Sequence, residues 1–156
     1  MIKFSAARLD KEAIELSGSE PAEFLDLSSE DLYEVVSEID YDLLVKKVSG
    51  GALVTGSCRV IVASECGRCL EPVELEIASD DIEMFFDLDE YGDEVDISDD
   101  IRSELLLELP MFVLCDEECA GLCPDCGGNL NNSTCRCHEK PHGSLAWGEL
   151  DNLDLK

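Results

Sequence analysis

Through the middle of the chain, apolar and polar residues alternate with a period of two, the mark of half-buried strands. Tyr41 to Val48 reads as one such strand. Ser49-Gly50-Gly51 reads as a turn, because glycine reaches the positive φ that tight hairpins need. Ala52 to Ser64 then sets Val54, Cys58, Val60 and Val62 on one parity. An interruption runs from Glu65 to Pro72. Beyond it, Val73, Leu75 and Ile77 alternate with Glu74 and Glu76, and Ile82, Met84, Phe86 and Leu88 extend the pattern. This predicts an antiparallel meander with one face on a core and the other in water.

The flanks carry weaker signals. Ile2 to Phe4 reads as the start of a strand. Ser28-Ser29 followed by Glu30-Asp31 suits a helix start, since serine accepts orphan N–H bonds and acids favour the positive helix end. The helix predicted there carries Leu32, Val35, Val36 and Ile39. Ser98 reads as the N-cap of a second helix, with Asp99 and Asp100 in its first turn. Ile101, Leu105 and Leu109 form its apolar stripe, and Pro110 ends it. Ser144 to Leu155 carries Leu145, Trp147, Leu150 and Leu153 and reads as a short terminal helix. No internal repeat or low-complexity linker breaks the chain. The expected division is an α+β domain over residues 1–113, a cysteine-rich segment over 114–140 packed on it, and a tail over 141–156.

Composition adds one strong constraint. A chain of 156 residues is one domain and long enough to bury a core without covalent help. Its 11 Lys and Arg face 37 Asp and Glu, for a formal charge of −26. Between Asp80 and Glu104 there are twelve acids and a single basic residue, Arg102. Binders of bare RNA or DNA draw most of their affinity from Lys and Arg on phosphates. Tight direct binding of nucleic acid is therefore disfavoured, as is docking on an anionic membrane, and a basic protein partner is favoured. The longest apolar runs, such as Met111 to Cys115, fall far short of the roughly 20 residues of a spanning helix. Met1 to Ser5 holds no apolar core of a signal peptide, so a reducing cytoplasm is the expected setting.

In that setting nine cysteines read as metal ligands or redox groups before disulfides. Eight of them form close pairs: Cys66-x2-Cys69, Cys115-x3-Cys119, Cys123-x2-Cys126 and Cys135-x-Cys137. Zinc takes four thiolate or imidazole ligands in a tetrahedron, and a C-x2-C turn puts two sulfurs on one ion. Cys123-Pro124-Asp125-Cys126-Gly127 looks like a zinc knuckle, its glycine letting the backbone turn close to the metal. Cys66-Gly67-Arg68-Cys69 looks like a hairpin tip of the same type. One or two structural Zn2+ ions are expected. The favoured grouping is Cys66, Cys69, Cys115 and Cys119 on one ion and Cys123, Cys126, Cys135 and Cys137 on the other. Pairing Cys66 and Cys69 with Cys123 and Cys126 is the alternative, and His138 or His142 is a possible replacement ligand.

Competing readings exist. A redox C-x2-C usually opens a helix in a βαβ unit, whereas Cys66 sits between strands. An iron–sulfur cluster also uses four cysteines. Cys58, on the apolar parity of a strand, reads as a small core residue. Asp87-x-Asp89-x-Tyr91-Gly92 resembles a calcium loop but has Ser98 where the bidentate glutamate belongs. Closed all-cysteine sites leave no open coordination position, which argues for structure over catalysis. No phosphate-binding loop, nucleophile elbow or catalytic triad pattern is present, so no catalytic residue is assigned.

These cysteine motifs carry a resemblance. Cys66-Gly67-Arg68-Cys69-Leu70-Glu71-Pro72, Leu105 to Pro110, and the run from Cys115 through Gly121-Leu122-Cys123-Pro124 and Cys126-Gly127 to Asn129-Leu130-Asn131, Cys135 and Cys137 resemble the YceD family of large ribosomal RNA subunit accumulation proteins. The likeness frames about half of the chain. The tail departs from it: a Pro-Arg step is expected, and Pro141 is followed by His142 and Gly143. The resemblance implies a cytosolic, non-enzymatic factor needed for large-subunit ribosomal RNA to accumulate. Joined to the charge, it suggests an acidic surface that binds a basic ribosomal protein or assembly factor, with RNA contacted indirectly. Direct RNA binding through Arg59, Arg68, Arg136 and Lys140, or a generic zinc-stapled interaction domain, is the alternative.

Overall fold

A computed structural model describes residues 1–9, 12–27, 32–91 and 93–137. In chain order these form strand β1 (Lys3–Ser5), helix α1 (Ala6–Leu9) and strand β2 (Ile14–Glu20). A 3-10 turn (Ala22–Leu25) precedes β3 (Glu34–Val35), β4 (Ile39–Val48), β5 (Gly51–Glu65) and β6 (Pro72–Phe86). Strand β7 (Glu94–Asp96) and helix α2 (Ser98–Leu107) follow. The main sheet is antiparallel throughout, as the alternation predicts. β5 lies at its centre, with β6 on one side and β4 then β2 on the other; β3 pairs β5 beyond the start of β4. β1 and β7 form a separate two-stranded ribbon.

Of the even residues of β5, Ala52, Val54, Cys58, Val60, Val62 and Ser64 are buried, and Gly56 is half-buried. The odd ones include exposed Arg59, Ile61 and Glu65, and Glu74, Glu76 and Glu83 of β6 are also exposed. On β6 the apolar parity changes from odd at Ile77 to even at Ile82. The register explains it: Cys58 faces Ser79 but Gly56 faces Ile82, so β6 carries one extra residue in a bulge at Asp80-Asp81. Each bulge residue is one that alternation cannot absorb, and the core face is recovered beyond it. Gly56 sits beside this bulge, paired with Ile82, with φ 148°, and a Cβ there would lie 2.1 Å from the Asp42 carbonyl oxygen. Cys58 belongs to the main core, and burial pushes its thiol up to about 11.

Helix α2 covers the core face of the sheet. Ile101 and Leu105 are buried, and Leu109 packs against the same cluster just past the helix end. Ser98 does not act as the cap. It is the first helical residue, and its buried hydroxyl accepts a bond from the Ile2 N–H at 2.9 Å. The Asp96 carboxylate instead accepts the Ser98 N–H at 3.0 Å. The helix predicted from Ser28 is also corrected. Ser28 to Asp31 lie outside the described residues, and Val35 pairs with Val62 while Ile39 opens β4. The spacing of Leu32, Val35, Val36 and Ile39 fits a helix, but β-branched side chains beside a free stretch of β5 pair instead. The segment from Ser144 to Leu155 lies outside the described residues.

Candidate metal centre

The interruption between β5 and β6 is a tight knuckle. The Cys66 N–H donates to the Glu71 carbonyl at 2.9 Å, and the Leu70 N–H donates to the Cys66 carbonyl at 2.9 Å. The second C-x2-C closes in the same way. The Cys123 N–H donates to the Gly128 carbonyl and the Gly127 N–H to the Cys123 carbonyl, both at 2.8 Å. In each knuckle the residue after the second cysteine takes positive φ: 70° at Gly127 and 61° at Leu70. Glycine reaches that region freely, whereas leucine is held there at a cost of roughly 1–2 kcal/mol.

The segment after α2 is stitched to the first knuckle. The Gly67 N–H donates to the Val113 carbonyl at 2.8 Å. The Arg68 guanidinium donates from Nη1 to the carbonyls of Glu117 at 3.2 Å and Cys119 at 3.1 Å. These bonds carry Cys115 and Cys119 to the hairpin tip. The Sγ atoms of Cys66 and Cys119 lie 3.8 Å apart, and those of Cys69 and Cys115 lie 3.5 Å apart. All four sulfurs fall within 4.8 Å of one another. Cys123, Cys126, Cys135 and Cys137 form a second set within the same limit, with Cys123 and Cys135 at 3.3 Å. This is the favoured grouping, and the alternative that shares Cys66 and Cys69 with Cys123 and Cys126 is not the one formed. His138 and His142 lie outside the described residues.

The donor sets fit a tetrahedral ion. Four sulfurs about 2.3 Å from a metal stand roughly 3.8 Å apart along each tetrahedral edge. A disulfide would need about 2.05 Å. The electrostatics point the same way. The backbone N–H of Arg68, aimed at the Cys66 sulfur from 3.5 Å, is the largest influence drawing that thiol down to about 6. Backbone N–H groups of Cys126 and Asp125 bring Cys123 to about 6 as well. A sulfur that accepts the S–H of a neighbour keeps the proton on that neighbour. The sulfurs of Cys119 and Cys69 push Cys115 up to about 12, and Cys126 does the same to Cys137. A divalent cation would take the place of those protons, since metal binding requires deprotonated sulfurs.

The two sets are joined through residues that the cysteine spacing did not single out for this role. The Leu122 N–H donates to the Arg68 carbonyl at 3.1 Å, and the Leu130 N–H to the Gly121 carbonyl at 2.9 Å. Asn129 donates from Nδ2 to the Glu71 carboxylate at 3.0 Å. Asn131 accepts the Ala120 N–H at 2.7 Å and donates from Nδ2 to the Cys119 sulfur at 3.2 Å. That amide is the largest influence holding the Cys119 thiol below its usual range. A loop belonging to the second set thus supplies an N–H···S bond to the first. The Asn129-x-Asn131 pattern stood in the sequence, but its partners emerge only when the loop folds back.

Residues 54–154 match the family model described as large ribosomal RNA subunit accumulation protein YceD. The chain belongs to the YceD family. The match takes in most of β5, all of β6 and α2, and both cysteine sets. Among similar proteins is an uncharacterized protein of Mycobacterium tuberculosis, 35% identical over 116 residues, covering 65% of this chain and 56% of the relative. The large ribosomal RNA subunit accumulation protein YCED homolog 1, chloroplastic, of Arabidopsis thaliana is 44% identical over 62 residues, 38% of this chain and 18% of that one. The Zea mays protein of the same description is 47% identical over 45 residues, 28% of this chain and 15% of that one. The chain thus spans about half the length of the mycobacterial relatives it matches. No solved structure matches it. Among the described residues, no helix is long and apolar enough to cross a membrane.

Proposed function

We propose that the protein is a non-enzymatic factor that supports accumulation of large-subunit ribosomal RNA, working in the cytoplasm. Two structural Zn2+ ions, one in each cysteine set, staple the C-terminal region to the sheet, and an acidic surface binds a basic ribosomal protein or assembly factor. The observation that carries the role is membership of a family described by that accumulation. Closed sets of four sulfurs favour a structural metal, because catalytic zinc keeps an open position. A net charge of −26 favours a basic partner over phosphate. Two of the few cations are engaged internally: Arg68 on the carbonyls of Glu117 and Cys119, and Arg102 on that of Leu25. RNA contact is therefore indirect.

The test is a pull-down from native lysate with the reduced, zinc-loaded chain as bait, with and without ribonuclease. Basic large-subunit proteins that stay bound after ribonuclease, and elute as salt rises, are the expected result. Loss of those proteins with the RNA, together with a gel shift of bare ribosomal RNA, would overturn the indirect mechanism.

A further inference from the structure

From the last residue of α2 to Cys115, the chain presents large apolar side chains to solvent. Met111 is 85% exposed, Phe112 81% and Leu107 80%. This is no slack loop. The hydroxyl of buried Tyr33 donates to the Pro110 carbonyl, and the Val113 carbonyl accepts the Gly67 N–H at 2.8 Å. Val113 itself is 4% exposed and packs in the core. Met111 and Phe112 therefore project from a span pinned on both sides. A methionine and an aromatic held in this way act as binding anchors with little ordering cost left on association.

The surroundings select the partner. From Ser103 to Cys135 the sequence contains no Lys or Arg, and exposed Glu108, Asp116, Glu117 and Glu118 bracket the span. A second copy would bring the same acids against each other. Residues 138–156 hold four acids and two lysines, so they too would meet like charge. We propose that Met111 and Phe112 form a docking knob for a protein element that presents an apolar stripe rimmed by Lys or Arg, as a basic amphipathic helix does. This rests on the acidic-surface reading above and adds the contact that gives it position: charge draws the partner in, and the knob fixes where it sits.

The test uses the full, reduced, metal-loaded chain and two dye-labelled Leu/Lys peptides of one composition. One is ordered as an amphipathic helix and the other is scrambled. Anisotropy titrations across a salt series are expected to show the amphipathic peptide binding about 10-fold more tightly, equivalent to ~1.4 kcal/mol. Met111→Ser with Phe112→Ser, both at exposed positions, is expected to erase that difference and leave the salt-dependent binding of the scrambled peptide intact. A difference that survives the double substitution would overturn the knob while leaving the acidic surface in place. No salt-dependent binding of either peptide would remove both. A dimer that dissociates in the double variant by sedimentation would assign the knob to self-association. A shift in emission of Trp147, the single tryptophan, in the free double variant would assign it to the chain's own tail. Either result would overturn the proposal.

Discussion

Single side chains separate the nine cysteines by role. Cys58 is packed among Val54, Val60 and Val62 in the main core, with its thiol raised to about 11 by burial. Its folded form holds the proton more tightly than an unfolded thiol, which titrates near 8.5–9. Its contribution is therefore fully present below about pH 8.5 and is lost as pH rises through about 11. Stability from chemical denaturation is expected to fall across that window, and Cys58→Val is expected to flatten this part of the slope. Cys58 should also resist alkylation at pH 8 in the folded chain, as read by peptide mass spectrometry. Asn131 is the other residue whose role is local and specific. Asn131→Ala removes the N–H···S bond to Cys119, and such outer contacts commonly tune metal affinity by 10–100-fold. Competition against a zinc chelator should show that loss at the set containing Cys119. A loss confined to the Cys123 set would contradict the assignment.

At the scale of elements, strands were legible where one face is wet and the other buried. The alternation from Ala52 to Ser64 and from Val73 to Phe86 marks β5 and β6, and the hydrophobic parity change between Ile77 and Ile82 is the bulge itself. What was not legible depended on long-range pairing. β2 alternates only at Ile14 and Leu16, too short a run to announce it, and its second half, Ser17-Gly18-Ser19, is held by the ladder to β4. The stretch from Leu32 to Ile39 has helical spacing and becomes strand because β5 extends past β4 and offers Val62 and Ala63 as partners. The cysteine pairs were visible by spacing, and the hairpin between β5 and β6 explains their grouping: it brings Cys66 and Cys69 to the segment that leaves α2. Gly56 beside the bulge gives a stability prediction at this scale. Gly56→Ala places a Cβ against backbone at a φ that L residues avoid, and should cost on the order of 2–3 kcal/mol in denaturant unfolding. A neutral result would mean that β4 and β5 are not paired there as described.

The whole molecule couples an acidic sheet domain to a region of little regular structure. Among the described residues beyond Val113 few apolar side chains are buried, and the segment from Cys115 to Cys137 is organised around its sulfurs. Such a segment cannot offset its own ordering entropy by burial, which is where metal binding, worth on the order of 10–16 kcal/mol in small zinc peptides, becomes folding energy. Cys66→Ser and Cys123→Ser should each remove metal from one set and loosen this region, while the sheet core around Val54 and Ile101 persists. On the proposed reading, eight thiolates hold two ions in two separate sets. Native mass spectrometry of the reduced, full chain tests it most directly. The expected mass increment is that of two zinc ions with Cys58 as the single free thiol, falling to one ion in either Cys66→Ser or Cys123→Ser. An unchanged increment in both variants, or a metal-free mass two protons lighter for each cysteine pair, would contradict it.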